Sequence, residues 1–197
     1  MSEIVFFLEE RSAEALLRTV IPRVLSPMPP CRYIVFEGKQ DLDGRLIKKM
    51  KGYQVPGARF VVLRDQDASD CHQCKDVLLA KCKEAGRPDA LIRIACRELE
   101  SWYLADLIAV EKGLGLSGLV KLQQKSRFRS TDSIVSPAKE LSRMAPSYQK
   151  IGGSRLIGPH LDIENTRSNS FQYFIQGIRR LGTKITPAQQ KIAPKPE

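Results

Sequence analysis

The sequence predicts an α/β fold, a parallel four-stranded sheet flanked by helices and followed by a C-terminal helical extension. Three observations lead there. Strand-like and helix-like runs alternate through the first half of the chain, which argues for βα units joined by right-handed crossovers. The strand-like runs are continuous apolar stretches, as expected for strands covered on both faces. Beyond Gly113 the strand-type runs stop and only short helical patterns remain.

Residues 4–8 (IVFFL) read as the first strand and residues 12–25 as the first helix, which Pro27, Pro29 and Pro30 end firmly. Strands at 33–36, 60–63 and 90–95 follow, each with a helix behind it, at 42–50, 71–84 and 97–112. Gly86-Arg87-Pro88 stops the third of these helices. Later helical patterns cover 116–124, 137–144 and 169–181, the last with Phe171, Phe174, Ile175 and Ile178 at i, i+3, i+4, i+7 spacing. The expected organisation is an α/β core over 1–112, a basic helical extension packed on it over 113–181, and a Pro-, Lys- and Gln-rich tail over 182–197 that reads as disordered.

At 197 residues, 42% hydrophobic and 27% charged, the chain is long enough to bury a sizeable core. No apolar run approaches the roughly 20 residues of a membrane span, and EIVFFLEE lacks the basic start and cleavage site of a signal peptide, so the expected location is the cytoplasm. Five scattered cysteines suit reduced thiols better than a disulfide framework. Cys71, His72, Cys74 and Cys82 suggest zinc only weakly, because no second C-x-x-C or H-x-x-x-H completes the set. The net charge of +10 is uneven: residues 1–112 carry 18 Lys/Arg against 17 Asp/Glu, and residues 113–197 carry 14 against 5. A near-neutral acidic-cluster half joined to a basic half suits a protein that grips a polyanion, although basic helices also serve simply as soluble surfaces.

The third strand ends in LRDQD, with Asp65 and Asp67 spaced i, i+2 at the sheet edge where α/β folds bind ligands. Two like charges so close favour a compensating cation. Mg²⁺ suits them, since it takes oxygen ligands at about 2.0–2.1 Å and keeps waters that a phosphate can replace. The same residues also suit a solvated turn in which both aspartates cap the helix starting near Cys71.

Two further acidic elements accompany this pair. Glu9 and Glu10 end the first strand, and Glu14 shares a helical face with Leu17, Ile21 and Leu25, so Glu9 and Glu14 are expected beside Asp65 and Asp67. Glu14 also suits a helix N-terminus on electrostatic grounds alone. In RELESWYLAD, a continuous helix places Glu100 in the middle of a stripe formed by Leu99, Tyr103, Leu104, Leu107 and Ile108. A carboxylate there needs a metal, a hydrogen bond or a partner such as Arg64, Arg93 or Arg97.

An acidic residue after strand one (LEE-RSAE) and D-x-D after a later strand (LRDQD) are similar to the Toprim arrangement of topoisomerases, primases and overcoming-lysogenization-defect nucleases. LEERSAEALL, FEGKQDL, LRDQDASDC, RIACRELESWYLAD, YQKIGGSRL and SNSFQYFI resemble the Toprim-type family called domain of unknown function 4276, over nearly the whole chain. The resemblance implies a Toprim-like, Rossmann-like core. It matches Glu9 to the Toprim glutamate, Asp65 and Asp67 to the metal-binding D-x-D, and Glu100 to the family's E-x-W element. The usual glycine after the glutamate is Glu10 here. The resemblance also implies a neighbouring AAA-type ATPase, as in anti-phage defence systems where an ATPase controls a Toprim nuclease.

The activity expected is hydrolysis of nucleic-acid phosphodiesters, with DNA the first choice of substrate. One or two Mg²⁺ (or Mn²⁺) ions would be held by Glu9, Asp65, Asp67 and Glu100, with Glu14 in support. Lys150 and Arg155 in YQKIGGSR are the candidate phosphate contacts, Lys150 also a catalytic one, or else ordinary surface cations. Self-assembly is left open. The alternative is a non-catalytic nucleic-acid-binding or ATPase-partner subunit. A haloacid-dehalogenase-type phosphatase is disfavoured, because its D-x-D lies near the N-terminus and a later G-D-x-x-x-D is absent. Gly38-Lys39 reads as a turn and a surface lysine rather than a phosphate loop. His72 and His160 support no triad, and Trp102 is expected to pack.

Overall fold

The computed structural model describes residues 3–185. Its four strands, β1 (Ile4–Leu8), β2 (Cys31–Val35), β3 (Arg59–Asp65) and β4 (Leu91–Ala95), form one parallel sheet in the order β2-β1-β3-β4. Helices α1 (Arg11–Val24), α2 (Lys39–Lys51) and α3 (Cys71–Glu84) make the crossovers. The expected fold class is the one found.

Every residue of β1 is fully buried, and the alternation of its side chains divides the core in two. Ile4, Phe6 and Leu8, with Val61 and Leu63, face α1 and the C-terminal helices. Val5 and Phe7, with Phe60, Val62, Ile92 and Ile94, face Leu42, Leu46 and Met50 of α2 and Leu78 of α3. A fully buried Phe or Leu contributes about 1.5–3 kcal/mol, so this two-sided burial fixes the strand ends where the acidic residues sit.

The expected helix over 97–112 is broken into α4 (Glu100–Leu104) and α5 (Leu107–Leu114). Asp106 restarts it as an N-cap, accepting from Ala109 N at 3.0 Å. Groups from far along the chain satisfy the peptides freed by the break: Gln123 accepts from Leu107 N at 2.7 Å and donates to Leu104 O at 3.2 Å, and Asn165 donates to Ala105 O at 2.8 Å. The break turns Ile108 outward, so it is not part of Glu100's apolar stripe.

After Gly113 the chain forms 3-10 turns, of which Val120–Gln124 replaces most of the expected helix at 116–124, then α6 (Pro137–Met144), α7 (Lys150–Ile157) and α8 (Asn169–Ile185). The helix α7 is not legible from KIGGSRLI. Its Gly153 has a physical reason: a side chain there would overlap the Tyr148 ring. α7 packs on α1 and α5, and α8 packs on β4. α8 continues past the expected end at residue 181, and the rest of the expected tail lies outside the described residues. Trp102 is buried between Phe171 and Phe174 and donates its indole N–H to Ser170 Oγ at 2.8 Å. Among the described residues no helix is long and apolar enough to cross a membrane.

Candidate active site

The C-terminal ends of β1, β3 and β4 open on one crevice, and each delivers a carboxylate to it. Glu9 follows β1, and its Oε2 accepts from Asp65 N at 3.2 Å. Glu10 is the N-cap of α1, where its side chain turns away from the cap to accept from Ser12 Oγ and, at 3.3 Å, from Lys150 Nζ. Asp65 ends β3, paired in register with Ala95. Glu100 opens α4 and is 1% exposed.

Burial at this strand edge, with neighbouring carboxylates, raises the proton affinity of Asp65, Glu9 and Glu100. For Asp65, burial comes first and then Glu10, Glu100 and Glu9, which together hold it well above the usual carboxylate range. Burial likewise lifts Glu9, assisted by Asp67 and Glu10 and opposed by the Asp65 amide and Arg64. Burial also lifts Glu100, although Lys150 and the Tyr148 hydroxyl pull the other way. Around Lys150 the balance reverses. Burial disfavours its charge, but Glu100, Glu10 and Asp65 outweigh that and raise its affinity for a proton.

Glu100 has one conventional partner, the Tyr148 hydroxyl, donating to Oε1 at 3.0 Å. Its Oε2 is buried with no hydrogen bond. None of the arginines considered for it takes that place. Arg64 meets Asp43 at 3.2 Å, Arg93 donates to Tyr173 O at 2.8 Å, and Arg97 donates to Asp67 O at 3.4 Å. A buried acceptor left unpaired costs about 1–3 kcal/mol, more when charged, which marks this oxygen as waiting for a cation or a proton.

Asp67 stands at the open rim of this group, near enough to Glu9 to act on its charge. Its backbone sits in the left-handed region at φ 56°, as does that of Arg97 at φ 63°. The pair is stitched by Asp67 N to Arg97 O at 2.8 Å and by Arg97 N to Gln66 Oε1 at 3.1 Å. The Asp67 side chain is exposed and ion-paired with Lys39 at 3.6 Å. Neither Asp65 nor Asp67 caps α3, because Asp70 does so, accepting from Gln73 N at 2.9 Å.

Glu14 stands elsewhere. It pairs with Arg18 at 2.7 Å, and that guanidinium covers Tyr33 at 4.6 Å, so Glu14 belongs to the β2 flank. The i, i+4 spacing of Glu14 and Arg18 was a legible sign of this. Arg155 is exposed on α7. Three residues enter that sequence reasoning did not count as site residues: Glu10, which occupies the expected glycine's position; Tyr148, which holds Glu100; and Lys39, which was assigned to the open surface.

The donor set fits a hard divalent cation in its chemistry: all oxygens, mutually repelling, with one buried oxygen orphaned. Among the described residues, no three His, Cys, Asp or Glu side chains are gathered closely enough to hold one ion as they stand, including the Cys71, His72, Cys74 and Cys82 set.

The C-terminal region of the Burkholderia pseudomallei OLD protein has a similar structure, with a TM-score of 0.53 at 12% identity, covering 91% of this chain and 98% of that one. At that identity the likeness concerns the fold. No curated protein matches the sequence. The family described as Domain of unknown function (DUF4276) matches residues 8–179, and the chain belongs to that family.

Proposed function

We propose that this protein is a divalent-metal-dependent phosphodiesterase acting on nucleic acid, a Toprim-type nuclease. One observation carries the reading: Glu9, Glu10, Asp65 and Glu100 meet at the ends of three strands with a buried Glu100 oxygen unpartnered. Among the described residues, Lys150 meets Glu10 at 3.3 Å and Arg64 meets Glu9 at 3.9 Å. Glu9, Glu10, Asp65 and Glu100 would hold Mg²⁺ or Mn²⁺ within the crevice, with Asp67 at its open rim. When bound, the ion supplies Lewis acidity toward phosphate and water.

The chain's own groups do the remaining work. Lys150, kept charged by the surrounding carboxylates, places an ammonium at the crevice for a phosphate oxygen. Tyr148 fixes the direction of Glu100, and Lys39 holds Asp67 at the rim. Arg155 on α7 is available to a flanking phosphate.

A second reading, a non-catalytic nucleic-acid-binding or ATPase-partner subunit, is favoured by the lack of any ready-made three-ligand group among the described residues. The Glu10–Lys150 ion pair favours it too. A role as effector beside an AAA-type ATPase is supported by the likeness to a C-terminal region, a piece preceded by other chain in its own protein. Nicking of supercoiled DNA with Mg²⁺ or Mn²⁺, abolished in Asp65→Ala, is the result expected from the chain alone or with an adjacently encoded ATPase. A folded protein inactive in both preparations leaves the binding subunit as the answer.

A further inference from the structure

A groove of about 500 Å³ runs beside β2, at one edge of the sheet, between that strand and the C-terminal half of α2. Four exposed cations line it, Arg32 from the strand and Arg45, Lys48 and Lys49 from the helix, over a floor that includes Ile34 and Tyr53. The acidic groups nearby are already engaged: Asp41 accepts from Arg45 at 2.9 Å and Glu3 from the Tyr53 hydroxyl at 2.7 Å. Lys48 and Lys49 form no ion pair among the described residues. Lysines on an edge strand commonly serve to block strand pairing, but three of these four cations come from the helix and converge on the groove from outside the strand.

The tyrosine rings beside the groove do not offer free faces to bases. Tyr33 stacks on Phe6 at 5.2 Å and lies under Arg18, and Tyr53 meets Phe60 edge-on at 5.8 Å. The groove therefore reads charge, not base identity. Its position relates it to the crevice. α2 begins at Lys39, paired with Asp67, and Lys49 lies ten residues on, a rise of about 15 Å. That is roughly four phosphate spacings of one stacked strand.

We infer that this groove is a second nucleic-acid site, a phosphate track that holds the strand flanking the one at the carboxylates without regard to sequence. The inference rests on the proposed nuclease reading and names where its substrate is gripped. The test is fluorescence anisotropy of a labelled single-stranded oligonucleotide with the full chain in EDTA, where hydrolysis plays no part. Lys48→Ala/Lys49→Ala should weaken binding about tenfold and reduce the slope of log K against log salt by about 1.4, two single-strand phosphates' worth. Mixed and homopolymer sequences should bind alike, and far-UV circular dichroism should be unchanged. Unaltered affinity and slope in the folded double variant, or no binding by the wild type, overturn the track. So does a variant that loses polyglutamate but keeps the oligonucleotide, which would assign the groove to an acidic peptide. A wild-type protein that binds through the groove yet never nicks DNA defeats the nuclease reading and leaves the track standing.

Discussion

Asp65 and Asp67 stand two residues apart and belong to different worlds. Asp65 is still within the sheet, paired with Ala95, and burial and three glutamates raise its proton affinity. Asp67 has left the strand for a left-handed turn and is exposed beside a lysine. A period-two motif predicts equivalent side chains on one face; the turn at Gln66 breaks the equivalence. The buried side of the crevice stores electrostatic repulsion, and the open side is already neutralised. A cation stabilises the first far more than the second.

The largest expected effect separates the two aspartates by activity. If second-sphere partners of a metal are worth 10–100-fold, Asp65→Asn should lower nicking by about a hundredfold or more. Asp67→Asn should cost about tenfold. Equal losses, read from initial nicking rates, would erase the distinction between the two sides.

Next in size is the support of Glu100. Tyr148→Phe leaves both Glu100 oxygens without a side-chain partner and should lower unfolding free energy by about 1–3 kcal/mol in urea melts. Ser69→Ala, which removes only a 3.3 Å contact with Lys39 on the open side, should stay within about 0.5 kcal/mol.

A smaller effect appears in pH dependence. Asp65 releases its proton near 3.8 in the unfolded chain and higher in the folded one. The folded state thus binds the extra proton across that window, and metal-free stability falls as pH rises through it. Asp65→Asn removes this term, so its stability relative to wild type should improve from acid toward neutral pH. A gap that stays flat would mean Asp65 is not held proton-rich. The smallest change belongs to Glu14→Gln, on the β2 flank. It breaks an exposed i, i+4 pair worth about 0.3–0.5 kcal/mol and should leave nicking intact.

The strands were legible because continuous β-prone runs are a local signal, and residues 71–84 were legible as a helix because the Gly86-Arg87-Pro88 stop is local too, although its cap proved to be Asp70 rather than Asp65 or Asp67. The break at Asp106 was not. It depends on Gln123 and Asn165, whose arrival no helical wheel can contain. Helix α7 was hidden because Gly152-Gly153 argues against a helix, whereas Gly153 is there to admit a tyrosine ring. In the site, Asp65 and Glu100 stood out by their places at a strand end and on an apolar helix. Glu9 and Glu10 both reach the crevice, Glu9 through the Asp65 amide and Glu10 through Lys150, a sharing that adjacent glutamates in a linear pattern do not resolve. Lys39 and the β2 groove depend on how α2 lies against the sheet, which no single segment records.

We propose that Glu10, Asp65 and Glu100 form one repelling group that a divalent cation relieves. Thermal unfolding of the full chain at neutral pH, with and without millimolar Mg²⁺ or Mn²⁺, tests it directly, because a ligand that binds only the folded state raises the midpoint. The wild-type midpoint should rise clearly, and the rise should disappear in Asp65→Asn and in Glu100→Gln. A wild-type midpoint indifferent to both metals, or an equal rise in the two variants, would contradict it.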